Sequence, residues 1–87
     1  MAELHVELVA AHGKLWEGTA HQVSAPGSEG SLGVLPGHVP MLTALGEGEV
    51  HIQGGESGGK RVRVEGGFLS VDHDRVTIVT DSAQVQA

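Results

Sequence analysis

Cysteine is absent from the 87 residues, which excludes a disulfide framework and any thiolate metal site and leaves the fold to packing alone. A reducing compartment is compatible with that. Aromatic residues are scarce as well: Trp16 and Phe68 are the only large rings, so a core has to be built from Val, Leu, Ile and Ala. Five Lys and Arg stand against eleven Asp and Glu, a formal charge of -6. Binding a phosphate backbone needs several cations on one face, so nucleic acid is excluded as a partner. No apolar run approaches the roughly 18 residues of a membrane span, and the N-terminus lacks the basic-then-apolar order of a signal peptide. Helix is missing too. No window sustains i, i+3, i+4 apolar spacing, and glycines recur every few residues at a cost of about 1 kcal/mol each in a helix.

What remains is alternation. Leu4, Val6 and Leu8 fall on one side of a period-two pattern, with His5, Glu7 and Val9 on the other, as in a half-buried strand. The same period recurs at residues 14–17, 20–25 and 32–34, in the apolar segment 41–45, and at Val50 with Ile52, Val62 with Val64, 68–71 and Val76 with Ile78. Glycine, proline or aspartate clusters bound each piece. Many short strands at turn-bounded spacing predict an all-β chain, an antiparallel sandwich or barrel, with Leu4, Val6, Val50, Ile52, Val62, Val64, Val76 and Ile78 in the core. At this length one domain is expected, the sandwich over residues 1–82 and a short C-terminal tail over 83–87. Where both faces of a strand are apolar, as at Leu8-Val9, Val34-Leu35 and Ile78-Val79, the outward set is a candidate partner patch.

Three constellations invite chemistry and do not carry it. Residues 54–60 match the G-x-x-x-x-G-K skeleton of a phosphate loop, but Arg61 follows in place of Ser or Thr, and residues 61–65 alternate as a strand where a helix is required. The stretch reads as a mobile hairpin tip. Six histidines are scattered singly, with no pair at ligand spacing, and Asp72-His73-Asp74 reads as a turn. Ser28, Ser31 and His38 are close in sequence, yet no G-x-S-x-G elbow supports a nucleophile. No cofactor, metal or catalytic group is expected.

The most informative stretch is residues 30–45, where short apolar segments alternate with Gly33, Pro36, Gly37 and Pro40. Two fixed φ angles and two permissive glycines make strand, compact bend, strand. His38, inside the bend, is either a turn histidine bonding local backbone or a surface contact residue. The order Gly30, Leu32, Gly33, Pro36, Gly37, His38, Pro40, Leu42, Thr43, with Ser28-Glu29 in front, resembles the epsilon subunit of F-type ATP synthases, called delta in mitochondria. The segments 64–71 and 76–83 resemble that family's glycine-glycine and valine-threonine strands, so the likeness covers essentially the whole chain.

The resemblance implies a flattened antiparallel sandwich of roughly ten short strands and a non-catalytic rotor subunit, peripheral to the membrane on the cytoplasmic face of a bacterial cell, with an organelle-encoded origin as the alternative. Its partners would be the gamma subunit and the ring of c subunits, and its role would be to couple proton flow to rotation. The contact residues it implies are Glu29, Gly30, Ser31, Leu32, Gly33, Pro36, Gly37, His38, Pro40 and Leu42. Ser31 departs from the pattern, since the family often has an acidic residue there; Glu29 is then the nearest carboxylate. The family's usual C-terminal helical hairpin has no counterpart in residues 82–87, and regulation by it is not expected. The rival reading is an autonomous ligand-binding sandwich in which the 54–59 loop, Lys60 and Arg61 hold an anion.

Overall fold

The computed structural model describes residues 3–55, 59–81 and 83–86. Eight strands are present among them: β1 (Leu4–Ala10), β2 (Gly13–Ala20), β3 (Gln22–Gly27), β4 (Gly30–Val34), β5 (Met41–Gln53), β6 (Gly59–Asp72), β7 (Arg75–Val79) and β8 (Ala83–Gln86). They pair in the order β2-β1-β7-β6-β5-β3-β4, with β8 against β6. All pairs are antiparallel except β1 with β7, which run parallel from His5↔Arg75 to Val9↔Val79.

The count is eight and not ten because glycines expected to end strands lie inside two long ones. β5 and β6 pair from Met41↔Val71 to Gln53↔Gly59, with the ladder interrupted only between Leu45↔Gly67 and Glu47↔Glu65. The buried residues change phase at that point. On β6 they are Val62 and Val64, then Leu69 and Val71; on β5 they are Leu45, then Val50 and Ile52. A period-two pattern that shifts by one residue puts the opposite edge of the strand inward. Gly66 and Gly67, at φ 95° and 121°, supply backbone that other residues avoid.

The long hairpin thus belongs to two layers. Its outer half, with β7, β1 and β2, forms the first; its tip half, with β3, β4 and β8, forms the second. Between them lies a single cluster that includes every residue expected in the core, together with Leu8, Val23, Val34, Leu69 and Val71. Trp16, Leu32 and Met41 close its margin. Fully burying such side chains contributes about 1.5–3 kcal/mol each, and the layers give the molecule extents of 32 × 26 × 19 Å.

Thr80 is the single buried polar residue among those described. Its hydroxyl donates to the carbonyl of Gly66 at 2.8 Å and its amide to Val9 at 3.0 Å, so it pins the bend of β6 to the end of β1. Pro26, unusual inside a strand, sits where β3 shifts register against β5 between Ser24 and Gly27, a place where a missing donor is tolerated. Residues 83–86, which sequence separates as a tail, pair with 61–64 as β8.

Candidate functional site

The site is a face, assembled by register. Residues paired across a sheet project to the same side, and on the first layer the outward row reads Ala44↔Phe68, Phe68↔Val79 and Val79↔Val9. Four apolar residues therefore cross β5, β6, β7 and β1 in line. Leu42, two residues before Ala44, joins them on the same face. Leu42 is 72% exposed, Phe68 54% and Val79 45%, far from the burial such side chains ordinarily reach.

The bend between β4 and β5 borders this row. It adds Leu35 and Val39, also exposed. The His38 amide donates to the Leu35 carbonyl at 3.1 Å, and the His38 Nδ1–H to the Val39 carbonyl at 2.7 Å. Gly37, at φ 87°, donates its amide to Asp74 Oδ1 at 2.7 Å. Asp74 belongs to the β6–β7 turn and itself has φ 61°, a left-handed conformation that Asp tolerates better than most residues. Its carbonyl accepts from His5 N at 2.8 Å. One turn residue thus ties the bend, β1 and the hairpin together.

Of the residues expected at the contact, Glu29, Gly30 and Ser31 lie exposed at the tip of the β3–β4 hairpin. That tip is held beside the row, because Ser28 N donates to the Ala44 carbonyl at 3.1 Å. Leu32 turns inward and packs on the core, while Gly33 is exposed on the outer side. Pro36 and His38 are half-buried; Gly37 and Pro40 are exposed, and Leu42 starts the apolar row. The structure therefore places the tip and the bend along one end of β5. Sequence reasoning missed Phe68, although its phase was available: with Leu69 and Val71 inward, Phe68 must point out.

Beyond the apolar row the same face turns charged. Glu7 stands opposite Glu17; His5 Nε2–H donates to Glu17 Oε2 at 2.6 Å, and Lys14 Nζ to Glu17 Oε1 at 2.7 Å. The hydrogen bond from Lys14, then that from His5, holds the Glu17 carboxyl below its ordinary range, and the bond to Glu17 raises Lys14 in turn. His5, Glu7 and Glu17 have ligand atoms within 4.8 Å of one another, a cluster that sequence spacing hides because it spans two strands. Lys14 and Arg75, 3.8 and 3.7 Å from Glu7, complete it as an ion-pair network.

The expected hairpin tip at 54–59 is only partly within view, since residues 56–58 lie outside the described ones. The described part is packed. A Cβ on Gly55 would stand 2.0 Å from the Thr19 carbonyl oxygen, and one on Gly54 2.6 Å from His21 Nδ1, so both glycines serve close approach to the β2–β3 corner. Lys60 and Arg61 belong to β6, a strand, as the failed phosphate-loop reading requires.

Residues 3–86 match the family model for the ATP synthase, Delta/Epsilon chain, beta-sandwich domain. The chain is 48% identical over 85 residues to the ATP synthase epsilon chain of Micrococcus luteus, covering 98% of this chain and 93% of that one. It is 50% identical over 84 residues to the epsilon chain of Corynebacterium urealyticum, covering 95% and 68%. Among solved structures, a chain of the Euglena gracilis mitochondrial ATP synthase superposes with a TM-score of 0.86 at 24% identity, covering 98% of this chain and 54% of that chain. A Tetrahymena thermophila central stalk/c-ring structure gives 0.74 at 17% identity, covering 93% and 65%. This chain thus spans between half and two thirds of those solved chains, and at such identity they share its fold.

Proposed function

The chain belongs to the delta/epsilon family of ATP synthase subunits, whose β-sandwich domain it carries, and on that premise we propose that it is a non-catalytic subunit of the rotor. In this reading it joins the gamma subunit to the ring of c subunits in the central stalk and so couples proton flow to ATP synthesis. The sandwich, bounded at residues 1–82 with 83–86 as an added edge strand, is the coupling part. A peripheral place at the membrane fits, on the cytoplasmic face of a bacterial cell; among the described residues no helix is long and apolar enough to cross a membrane.

One observation carries the proposal: an apolar row, Leu42, Ala44, Phe68, Val79 and Val9, left uncovered on a sandwich whose core is already complete. Exposed apolar surface in such a line marks a protein contact, and its aromatic member is the residue type that anchors interfaces. We assign this row to gamma. The adjoining end, formed by Glu29–Ser31 and by the bend with Pro36, Gly37, His38 and Pro40, is assigned to the ring. With Ser31 in place of a carboxylate, Glu29 is left as the acidic group at that tip.

Co-purification of the chain with a bacterial gamma subunit tests the reading. The complex is expected to form and to weaken in Phe68→Thr, while His38→Ala leaves gamma binding intact and impairs assembly onto the ring more than His21→Ala or His51→Ala does. A chain that forms no complex with gamma, or one in which all three histidine variants behave alike, overturns it.

A further inference from the structure

The second layer holds a feature that the rotor role does not use. Lys60 and Arg61, two of the five basic side chains in an acidic protein, line a cleft of about 360 Å³ at the tip end of the β5–β6 hairpin, with His51, Gln53, Gly54 and Gly59. Register brings them there. Arg61 stands opposite His51, so the two share the outer face, whereas Lys60 stands opposite Ile52 and reaches the cleft from the inner side.

Their pairing sets them apart. Lys14 has Glu17 at 2.7 Å, Arg63 has Glu47 at 3.2 Å and Arg75 has Glu7 at 3.7 Å; among the described residues Lys60 and Arg61 have no carboxylate within ion-pair distance. Two neighbouring cations without a carboxylate partner among the described residues thus border a concavity of the size that small ligands occupy. Glu49 stands 3.5 Å from His51 Nε2. It engages the imidazole and leaves the lysine and arginine as the binding pair.

We propose that this cleft binds a phosphoryl oxyanion, with the Arg61 guanidinium forked across two oxygens and the Lys60 ammonium as a mobile point charge. Gly54 and Gly59 place no side chain in the way. Free phosphate or oligophosphate and a phospholipid headgroup offer the same chemistry, and the experiment separates them. The proposal is independent of the gamma contact, because neither cation lies on the apolar row; loss of gamma binding leaves it standing.

The test is a titration of the isotope-labelled full chain with pyrophosphate at constant ionic strength, followed by amide NMR. Saturable shifts are expected at residues 51–54 and 59–61. Lys60→Ala and Arg61→Ala should each weaken them about tenfold or more, the loss of one charged hydrogen bond, while Lys14→Ala changes nothing. Lys14 and Arg61 are exposed and Lys60 is half-buried, and unchanged spectra elsewhere certify that the variants fold. Absence of shifts at millimolar pyrophosphate, or shifts that persist in the double variant, overturns the proposal. Sedimentation with phosphatidylglycerol vesicles is the second arm. Binding that pyrophosphate relieves and the double variant loses assigns the site to a headgroup; vesicle binding that survives in the double variant overturns it.

Discussion

The two outer faces of this sandwich differ although both cover the same core. On the first layer an apolar row runs over four strands and gives way to the charged network of His5, Glu7, Lys14 and Glu17. On the second, outward positions carry Glu47, Glu49, His51, Arg61 and Arg63, and no large hydrophobic residue on its strands is exposed among those described. There Arg63 faces Glu49 across the ladder and pairs with Glu47, an ordinary solvated surface. A sandwich needs only its inner faces apolar. The second layer obeys that rule and the first breaks it, so the exception, and not apolar content as such, is what supports the proposed contact.

The comparison rests on there being two layers, and it breaks most completely at the hinge between them. A Cβ on Gly67 would stand 2.0 Å from the Val79 carbonyl oxygen at a φ of 121°. Gly67→Ala is expected to cost about 3–5 kcal/mol, much of the stability of a domain this small. Gly13 has the same φ of 121° with nothing within 4 Å, so Gly13→Ala should lose only about 1–2 kcal/mol from backbone strain. Denaturant midpoints for the pair separate close approach from conformation; equal losses would refute the hinge.

The faces themselves are compared by their variants. Leu42→Thr and Phe68→Thr keep strand propensity at exposed positions, so unfolding midpoints should move by less than about 1 kcal/mol. Their association with gamma should weaken by about 2 kcal/mol or more. Arg63→Thr on the other layer should change neither. If calorimetry found Arg63→Thr as damaging as Phe68→Thr, the apolar row would not be the contact.

How far all this could be read in advance depends on phase. Alternation alone identifies every core position it was asked for, because a half-buried strand writes its burial directly into period two. Gly46-Glu47-Gly48 and Gly66-Gly67 misled because glycine signals a turn and a strand bend alike. Only the shift from Val62 and Val64 to Leu69 and Val71 distinguishes them. The parallel pairing of β1 with β7 has no local signature, since it joins segments some seventy residues apart. The proposed contact face was half legible: residues 29–42 by their order, Val79 by its apolar neighbour Ile78. Phe68, Ala44 and the Asp74 clamp needed the register, which no single strand contains.

Asp74 sharpens the comparison by testing whether the bend beside the row is held or merely adjacent. Asp74→Ala removes the acceptor of the Gly37 amide and places a less tolerant residue at φ 61°; about 1–2 kcal/mol of stability should go. Asp74→Gly loses the acceptor but relieves the strain, so its cost should be smaller. Asp74→Asn retains an acceptor and should come nearest the parent. Faster amide exchange at residues 37 and 38 in the alanine and glycine variants, but not in asparagine, is the signature of a clamp; uniform exchange across all three would dismiss it.

The smallest effect belongs to the charged end of the first face, and its sign is fixed by the direction of two shifts. Glu17 in the folded chain titrates below its ordinary value of 4.5, chiefly through the hydrogen bond from Lys14 and next through that from His5. The folded state then binds its proton less readily than the unfolded one, so the contribution is present above the unfolded value and is lost as pH falls through the folded one. Lys14 is raised above 10.5 by the same bond; its contribution is present below that value and is lost as pH rises through the folded one. Both side chains are in water, where salt screens the attraction and little stability is at stake. Melting temperatures of the parent and Glu17→Gln should therefore lie slightly apart at neutral pH and converge in acid, as pH falls through the lowered folded-state value, and high salt should close the gap throughout. A gap that widens in acid would mean that Glu17 is stabilised in its protonated form and that the network is held by something other than Lys14 and His5. A gap that salt leaves unchanged would move this end of the face into the same class as the apolar row, where packing and not charge decides.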